Sequence, residues 1–280
     1  MPRIVRALLL VVLVAGVYVE VAQPRSSATK LERAVWSPAV KGQLRLGIYL
    51  PADYDSSGRR YPVVYFLHGL PASATSFRGA DFLAQALHES GRKAIIVAPQ
   101  GARDSDSDPE YLDWGTGRNW ETAITRDIVG YVDSHFRTIA KRSGRALVGL
   151  SAGGYGAVIL ALHHLGAFSV VESWSGYFHP TDPQGLHGLD LGSPAANANA
   201  SAHAFVKALR GAFVRRPTYF AFYVGRGDDR FRDENERFNR ELIAARVPHV
   251  FRVYAGGHEQ SVWSAHAKAW LAMAVDHMAR

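Results

Sequence analysis

One serine in the chain sits in the pattern that nucleophilic acyl chemistry requires: Gly149-Leu150-Ser151-Ala152-Gly153, directly after the apolar run Ala146 to Leu150 and directly before a helix-forming stretch, Tyr155 to Leu165. A strand that turns sharply into a helix lifts a serine hydroxyl clear of the backbone, and glycines flank it because side chains there would clash in so tight a turn. In a chain with 26 glycines the bare five-residue pattern is weak, so the strand before it and the helix after it carry the argument. The helix also aims its free N-terminal amides at the serine, which makes Ala152 N–H the first candidate donor to an oxyanion. The second is Leu70 N–H, in Phe66-Leu67-His68-Gly69-Leu70, where a glycine ends an earlier apolar run and lets the backbone turn inward.

A serine hydroxyl is too weakly acidic to attack unaided at neutral pH; a histidine must take its proton, and a carboxylate must hold that histidine in the right tautomer. Of the 12 histidines, His258 follows the apolar run Val250 to Tyr254 through Ala255-Gly256-Gly257 and precedes a helical stretch, Gln260 to His277, which is where a Ser, acid, His order puts the base. His163 and His164 fall inside the helix behind the serine, and His266 and His277 lie on the last helix, where surface or core roles fit better. For the acid, the run Tyr219 to Val224 ends in Gly225-Arg226-Gly227-Asp228-Asp229. Spacing does not choose between the two adjacent carboxylates, and both are also placed to cap the helix that follows.

The elements that must position these residues are legible as an alternation. Tyr61 to Leu67, Ala94 to Ala98, Ala146 to Leu150, Ser169 to Glu172, Tyr219 to Val224 and Val250 to Tyr254 are short apolar runs rich in branched and aromatic residues, the signature of strands buried on both faces. Helical patterns lie between most of them: Phe82, Leu83, Ala86 and Leu87 share one face, as do Ile124, Ile128, Val129 and Val132. Strand alternating with helix predicts an α/β fold with a mostly parallel central sheet and helices on both faces. Leu44 to Leu50 alternates apolar and polar residues and predicts a half-buried strand in an antiparallel entry hairpin. The stretch from Phe178 to Arg216 breaks the rhythm with Pro180, Pro183, Pro194 and the low-complexity run Ser193 to Ser201; it is expected to be an insertion over the active edge of the sheet, part loop and part helix.

At the N-terminus, Arg3 and Arg6 precede an uncharged apolar run from Ala7 to Val19, the shape of an export signal. A run of about 13 residues is short for a spanning helix, which favours cleavage, yet Glu20 spoils the best late cleavage site, after Ala22; an uncleaved anchor stays open. Residues 1–22 are therefore expected to be a signal peptide or signal anchor, residues 23–34 a linker, and residues 35–280 the folded domain. Export implies a secreted, periplasmic or envelope location.

Composition adds exclusions. The 32 Lys and Arg against 25 Asp and Glu leave a charge of +7, but the arginines are scattered and stand beside no nucleic-acid motif, so a solvated basic face is the reading, with association to a membrane surface or cell wall left open. The absence of cysteine removes disulfides, thiolate nucleophiles and cysteine zinc sites. His258-Glu259 does not extend into a zinc-protease motif, because Val262 stands where the second histidine belongs. No metal or organic cofactor is implied.

Three segments together, Tyr65-Phe66-Leu67-His68-Gly69-Leu70, the extended elbow Gly149 to Ala157, and Tyr254-Ala255-Gly256-Gly257-His258, give a chain that resembles the putative-esterase family of α/β hydrolases: formylglutathione hydrolases, feruloyl and other carbohydrate esterases, and the antigen 85 mycolyltransferases. The resemblance runs from about Val35 to the C-terminus. It implies the α/β-hydrolase fold and an ester substrate, small, lipid or carbohydrate. In relatives the acid stands shortly before an asparagine and a phenylalanine on the next helix; Asn235 and Phe238 thereby imply Asp229 as the acid, with Asp228 in reserve. The resemblance also implies that Trp120-Glu121-Thr122 closes one side of the site, and that the 178–216 insertion shapes the pocket with Trp174, Tyr177 and Phe178. His68, where the mycolyltransferases carry an acidic residue, and Gly153-Gly154 depart from their pattern and argue against transfer to trehalose. Three activities follow as expectations: ester hydrolysis through an acyl-enzyme, acyl transfer to an alcohol at the same site, and an inactive hydrolase fold used for binding.

Overall fold

The computed structural model describes residues 28–106, 110–182 and 187–279. The expected signal segment, residues 1–22, lies outside them. Among the described residues no helix is long and apolar enough to cross a membrane.

Eight strands form one sheet: β1 (Thr29–Ser37), β2 (Gly42–Leu50), β3 (Val63–Leu67), β4 (Ile95–Pro99), β5 (Arg145–Leu150), β6 (Val170–Trp174), β7 (Tyr219–Gly225) and β8 (Val250–Tyr254). Their order is β1-β2-β4-β3-β5-β6-β7-β8, with β1 and β2 antiparallel to their neighbours and the remaining six mutually parallel. The six apolar runs are the six parallel strands, each within two residues of its expected bounds. They read as continuous apolar runs because successive side chains enter two different cores. Val63, Tyr65 and Leu67 of β3 face one core, and Val64 and Phe66 face the other.

Among the described residues the α-helices of more than four residues are α1 (Asp81–Glu89), α2 (Val129–His135, continued from a π-helical stretch, Ala123–Ile128), α3 (Ala152–His163), α4 (Pro194–Asn199), α5 (Ala202–Arg215), α6 (Arg232–Ala244) and α7 (Gln260–Asp276). Helices α1 and α7 cover one face, with Leu83, Ala86 and Leu87 packed beside Val262, Trp270 and Leu271. Helices α2, α3, α5 and α6 cover the other. Helix α3 is buried from Ala152 to Leu162, as its almost wholly apolar sequence requires.

Two expected boundaries are corrected. Folded structure extends upstream of Val35 into the expected linker: Thr29 pairs with Leu50 and Lys30 with Tyr49 in an unbroken antiparallel register. This strand is polar because it is an outermost strand with most of its side chains in solvent, so Thr29 to Arg33 passes for linker. Likewise, the irregular stretch after β6 ends sooner than Arg216. Helix α5 is the ordinary crossover between the parallel strands β6 and β7, and buries Val206, Leu209 and Phe213 in the core it shares with α3. Among the described residues of this stretch, the loop from Ser175 and the short helix α4 are the parts that depart from the alternation.

Candidate active site

The turn from β5 into α3 puts Ser151 at φ 54° and ψ −124°, a strained conformation for a residue with a side chain. The turn closes because its glycines have no Cβ. A methyl group on Gly149 would lie 2.0 Å from the Gly153 carbonyl oxygen, and one on Gly153 would lie 1.9 Å from that of Leu67. The backbone is held from both sides: Ser151 N–H donates to Trp174 O at 2.9 Å, and Gly154 N–H donates back to Ser151 O at 2.8 Å.

His258 arrives on the loop between β8 and α7, as expected. Its Nε2 is 3.0 Å from Ser151 Oγ, and its Nδ1 is 2.8 Å from a carboxylate oxygen. That carboxylate is Asp228, not Asp229. The turn after β7, bonded from Asp228 N–H to Gly225 O and from Asp229 N–H to Gly227 O, sends the two side chains apart. Asp228 is fully buried beneath His258 and its second oxygen accepts from Phe231 N–H at 3.2 Å, whereas Asp229 is exposed. Asn235 and Phe238, which implied Asp229, belong to the frame instead. Asn235 Nδ2 donates to Gly176 O and Phe231 O, tying α6 to the loop after β6, and Phe238 stacks on Phe178.

A carboxylate only accepts hydrogen bonds, so the proton sits on Nδ1 of His258 and the Nε2 lone pair faces the serine hydroxyl. Two aromatic rings fix the imidazole. Phe231 and Trp263 each pack edge-on to it, with centroids 5.1 Å away, and Trp263 Nε1–H donates to Ser175 Oγ at 3.1 Å. Sequence reasoning missed both residues. Trp263 has the spacing of an ordinary core residue on α7, and Phe231 lies on a loop without periodicity.

The residues that carry the two predicted amide donors line the same space. Leu70 and Ala152 border one small cavity beside the serine, together with His68, Gly69, Glu110 and Tyr111. Ala152 opens α3, so its N–H has no acceptor within the helix. Gly69 comes so close that a Cβ there would sit 2.9 Å from Ser151 Cβ. Beneath this strand end lies His68. Burial drives its pKa down to about 4, against the hydrogen bond to Gly69 O that favours the charged form. Neutral His68 donates from Nδ1 to Gly69 O at 2.9 Å and accepts Gly101 N–H at Nε2 at 3.0 Å, while Tyr111 Oη donates to His68 O at 2.6 Å. These bonds fix the peptide that precedes Leu70.

Other expected contributors lie elsewhere. Trp120 is buried in the core, and Glu121 accepts from His163 and His164 at the far end of α3, about 18 Å along the helix from the serine. Trp174 packs on Phe66 and Trp270 behind the elbow, Tyr177 Oη donates to buried Glu110, and Phe178 lies against Phe222 and Phe238. All three are fully buried, so they support the site without lining a pocket.

Residues 37–272 match the family model described as "Putative esterase". The chain belongs to this family. It is 36% identical over 141 residues to an esterase of Mycobacterium tuberculosis, a match covering 50% of this chain and 29% of that protein. It is 31% identical over 159 residues to the diacylglycerol acyltransferase/mycolyltransferase Ag85A of Mycobacterium leprae, covering 52% and 46%. The chain thus spans less than half the length of these curated relatives. Among solved structures, an S-formylglutathione hydrolase from Agrobacterium tumefaciens superposes with TM-score 0.76 at 19% identity, over 92% of this chain and 98% of that one. A ferulic acid esterase superposes with TM-score 0.71 at 23% identity, over 90% and 99%. The fold is that of the α/β hydrolases.

Proposed function

We propose that this protein hydrolyses a carboxylic ester through an acyl-enzyme on Ser151. The observation that carries the reading is the unbroken line of hydrogen bonds from Ser151 Oγ through His258 to buried Asp228, at 3.0 and 2.8 Å. Ser151 Oγ attacks the ester carbonyl as its proton passes to His258 Nε2, and Asp228 stabilises the imidazolium that forms. The oxyanion enters the cavity between Leu70 N–H and Ala152 N–H. As the intermediate collapses, His258 gives its proton to the departing alcohol. Water then enters and attacks the acyl carbon as it gives a proton to His258; the second tetrahedral intermediate collapses, releasing the acid, as His258 returns that proton to Ser151 Oγ.

The test is release of p-nitrophenol from acetate, butyrate and octanoate esters, beside Ser151→Ala and His258→Ala. Activity lost in both variants supports the serine mechanism; turnover retained in Ser151→Ala refutes it. Identity to a named acyltransferase favours a second reading, in which an alcohol replaces water in the second half of the reaction. Added glycerol or sugar that diverts the acyl group into a new ester would establish it, and unchanged acid release would exclude those acceptors. The charged and apolar residues Arg3, Arg6 and Ala7 to Val19 support export from the cytoplasm, which fractionation of the expressing cell tests.

A further inference from the structure

We propose that His179, His203 and Glu234 form a binding site for a divalent cation of the zinc class, with Glu241 as the positioning residue behind His203. The three ligands come from three separate elements. His179 lies on the loop after β6, His203 on α5 and Glu234 on α6. Their available ligand atoms all lie within 4.8 Å of one another. Separations of 24 and 31 residues along the chain form no recognisable metal motif, which is why the sequence gives no sign of the site.

The geometry is close to what such an ion needs. Bonds of about 2.0–2.1 Å to a tetrahedral ion place ligand atoms about 3.3 Å apart. His203 Nε2 is 3.4 Å from Glu234 Oε1, already at that edge length. His179 Nδ1 is 2.6 Å from the same oxygen and must withdraw by a fraction of an ångström, which a side chain 42% exposed on a loop can do. The two fixed ligands are braced from behind. His203 Nδ1 meets Glu241 Oε2 at 2.5 Å, and Glu234 Oε1 accepts Phe178 N–H at 3.0 Å. A histidine whose second nitrogen donates to a carboxylate is held with its other lone pair on the metal side, an arrangement that orients the ring and raises its basicity. Glu234 and Glu241 are seven residues apart on α6, two turns along one face. With Nδ1–H given to Glu241, the Nε2 lone pair of His203 confronts the oxygen of Glu234; two acceptors so close require a proton or a cation between them.

Two imidazoles and one carboxylate suit zinc and its transition-metal neighbours, not calcium or magnesium, which prefer all-oxygen shells. Three protein ligands leave one position open. The site borders a cavity of about 640 Å³ also lined by Thr181, Arg230, Arg237 and Arg240, so an anionic oxygen or water is the fitting fourth ligand. Asp233 lines the same cavity, and Arg237 is itself engaged with Glu241. None of the ligands touches Ser151, His258 or Asp228. Phe231, which lines the cavity and packs on His258, separates the two sites. An ion here would pin the loop after β6 to α5 and α6.

The experiment uses the untagged full chain, stripped with a chelator and titrated with Zn²⁺ by calorimetry, with metal content measured after gel filtration and thermal melting recorded alongside. One zinc per chain and a raised melting temperature are expected, with no response to Ca²⁺ or Mg²⁺. His179→Ala, which removes a half-exposed side chain, should abolish stoichiometric retention, and Glu241→Gln should weaken binding by about 10–100-fold. Substoichiometric zinc in the parent protein, or unchanged binding in both variants, would overturn the site. Esterase activity is not a readout here, so the result stands apart from the proposed reaction.

Discussion

Replacing Asp228 by asparagine gives the sharpest test of the site. The side chain is fully buried, with one oxygen 2.8 Å from His258 Nδ1 and the other 3.2 Å from Phe231 N–H. An asparagine of the same shape keeps the second bond by turning its carbonyl to Phe231, which leaves its amide NH₂ facing His258. That donor forces the imidazole proton onto Nε2, where it confronts Ser151 Oγ and leaves the base no lone pair with which to take the serine proton. Such a wrong tautomer lowers kcat by about 10⁴, or about 5.5 kcal/mol of transition-state stabilisation. Asp229→Asn, which alters an exposed carboxylate one residue away, should stay within about twofold, as surface changes do. Single-turnover acylation by p-nitrophenyl butyrate measures both, with circular dichroism to confirm the fold. An Asp228→Asn enzyme within tenfold of the parent, or an Asp229→Asn enzyme crippled a thousandfold, would refute this assignment.

Three further outcomes follow from the frame. Burial pushes Glu172 up to about 8 despite hydrogen bonds from Trp174 and Tyr223, so the folded chain keeps a proton that the unfolded chain loses above about 4.5; stability therefore falls as pH rises from 4.5 to 8, and Glu172→Gln should raise unfolding free energy at pH 8 by about 4 kcal/mol, as urea melts would show, while an unchanged midpoint would contradict it. His68 acts in the opposite sense: its folded pKa of about 4 lies below the unfolded 6.5, so stability is full above 6.5 and declines as pH falls toward 4, by about 3 kcal/mol, and His68→Gln should remove that part of the slope; the same slope in both proteins would count against a buried neutral imidazole. Gly153→Ala, with its Cβ driven into Leu67 backbone, should lose about 3 kcal/mol or fail to fold, whereas Gly130→Ala on exposed helix with no atom within 4 Å should gain about 0.5–1 kcal/mol; similar melting temperatures for the two would show that the elbow is not sterically closed.

The parallel strands, the serine and the histidine were legible because burial on both faces and a tight turn each leave a compositional mark: apolar runs in one case, glycines in the other. What escaped depends on direction. Whether Asp228 or Asp229 points inward is decided by the torsions of one turn, and a family pattern anchored on Asn235 misplaced it by a residue. Trp174 ends strand β6 and Tyr177 and Phe178 follow it, at the end of the sheet where sites form, but the chain folds all three inward. Strand β1 hid as linker, since an edge strand needs few apolar residues, and α5 hid behind the low-complexity run before it, although Val206, Leu209 and Phe213 already carried helical spacing.

The contact between Trp263 and His258 also has an optical consequence. An imidazolium quenches a neighbouring indole's emission more strongly than neutral imidazole does, and here the rings stand edge to face with centroids 5.1 Å apart. The emission of Trp263 should therefore follow the charge on His258. A chain in which the other five tryptophans are replaced by phenylalanine would report, by light alone, the moment an acylating agent alters its base.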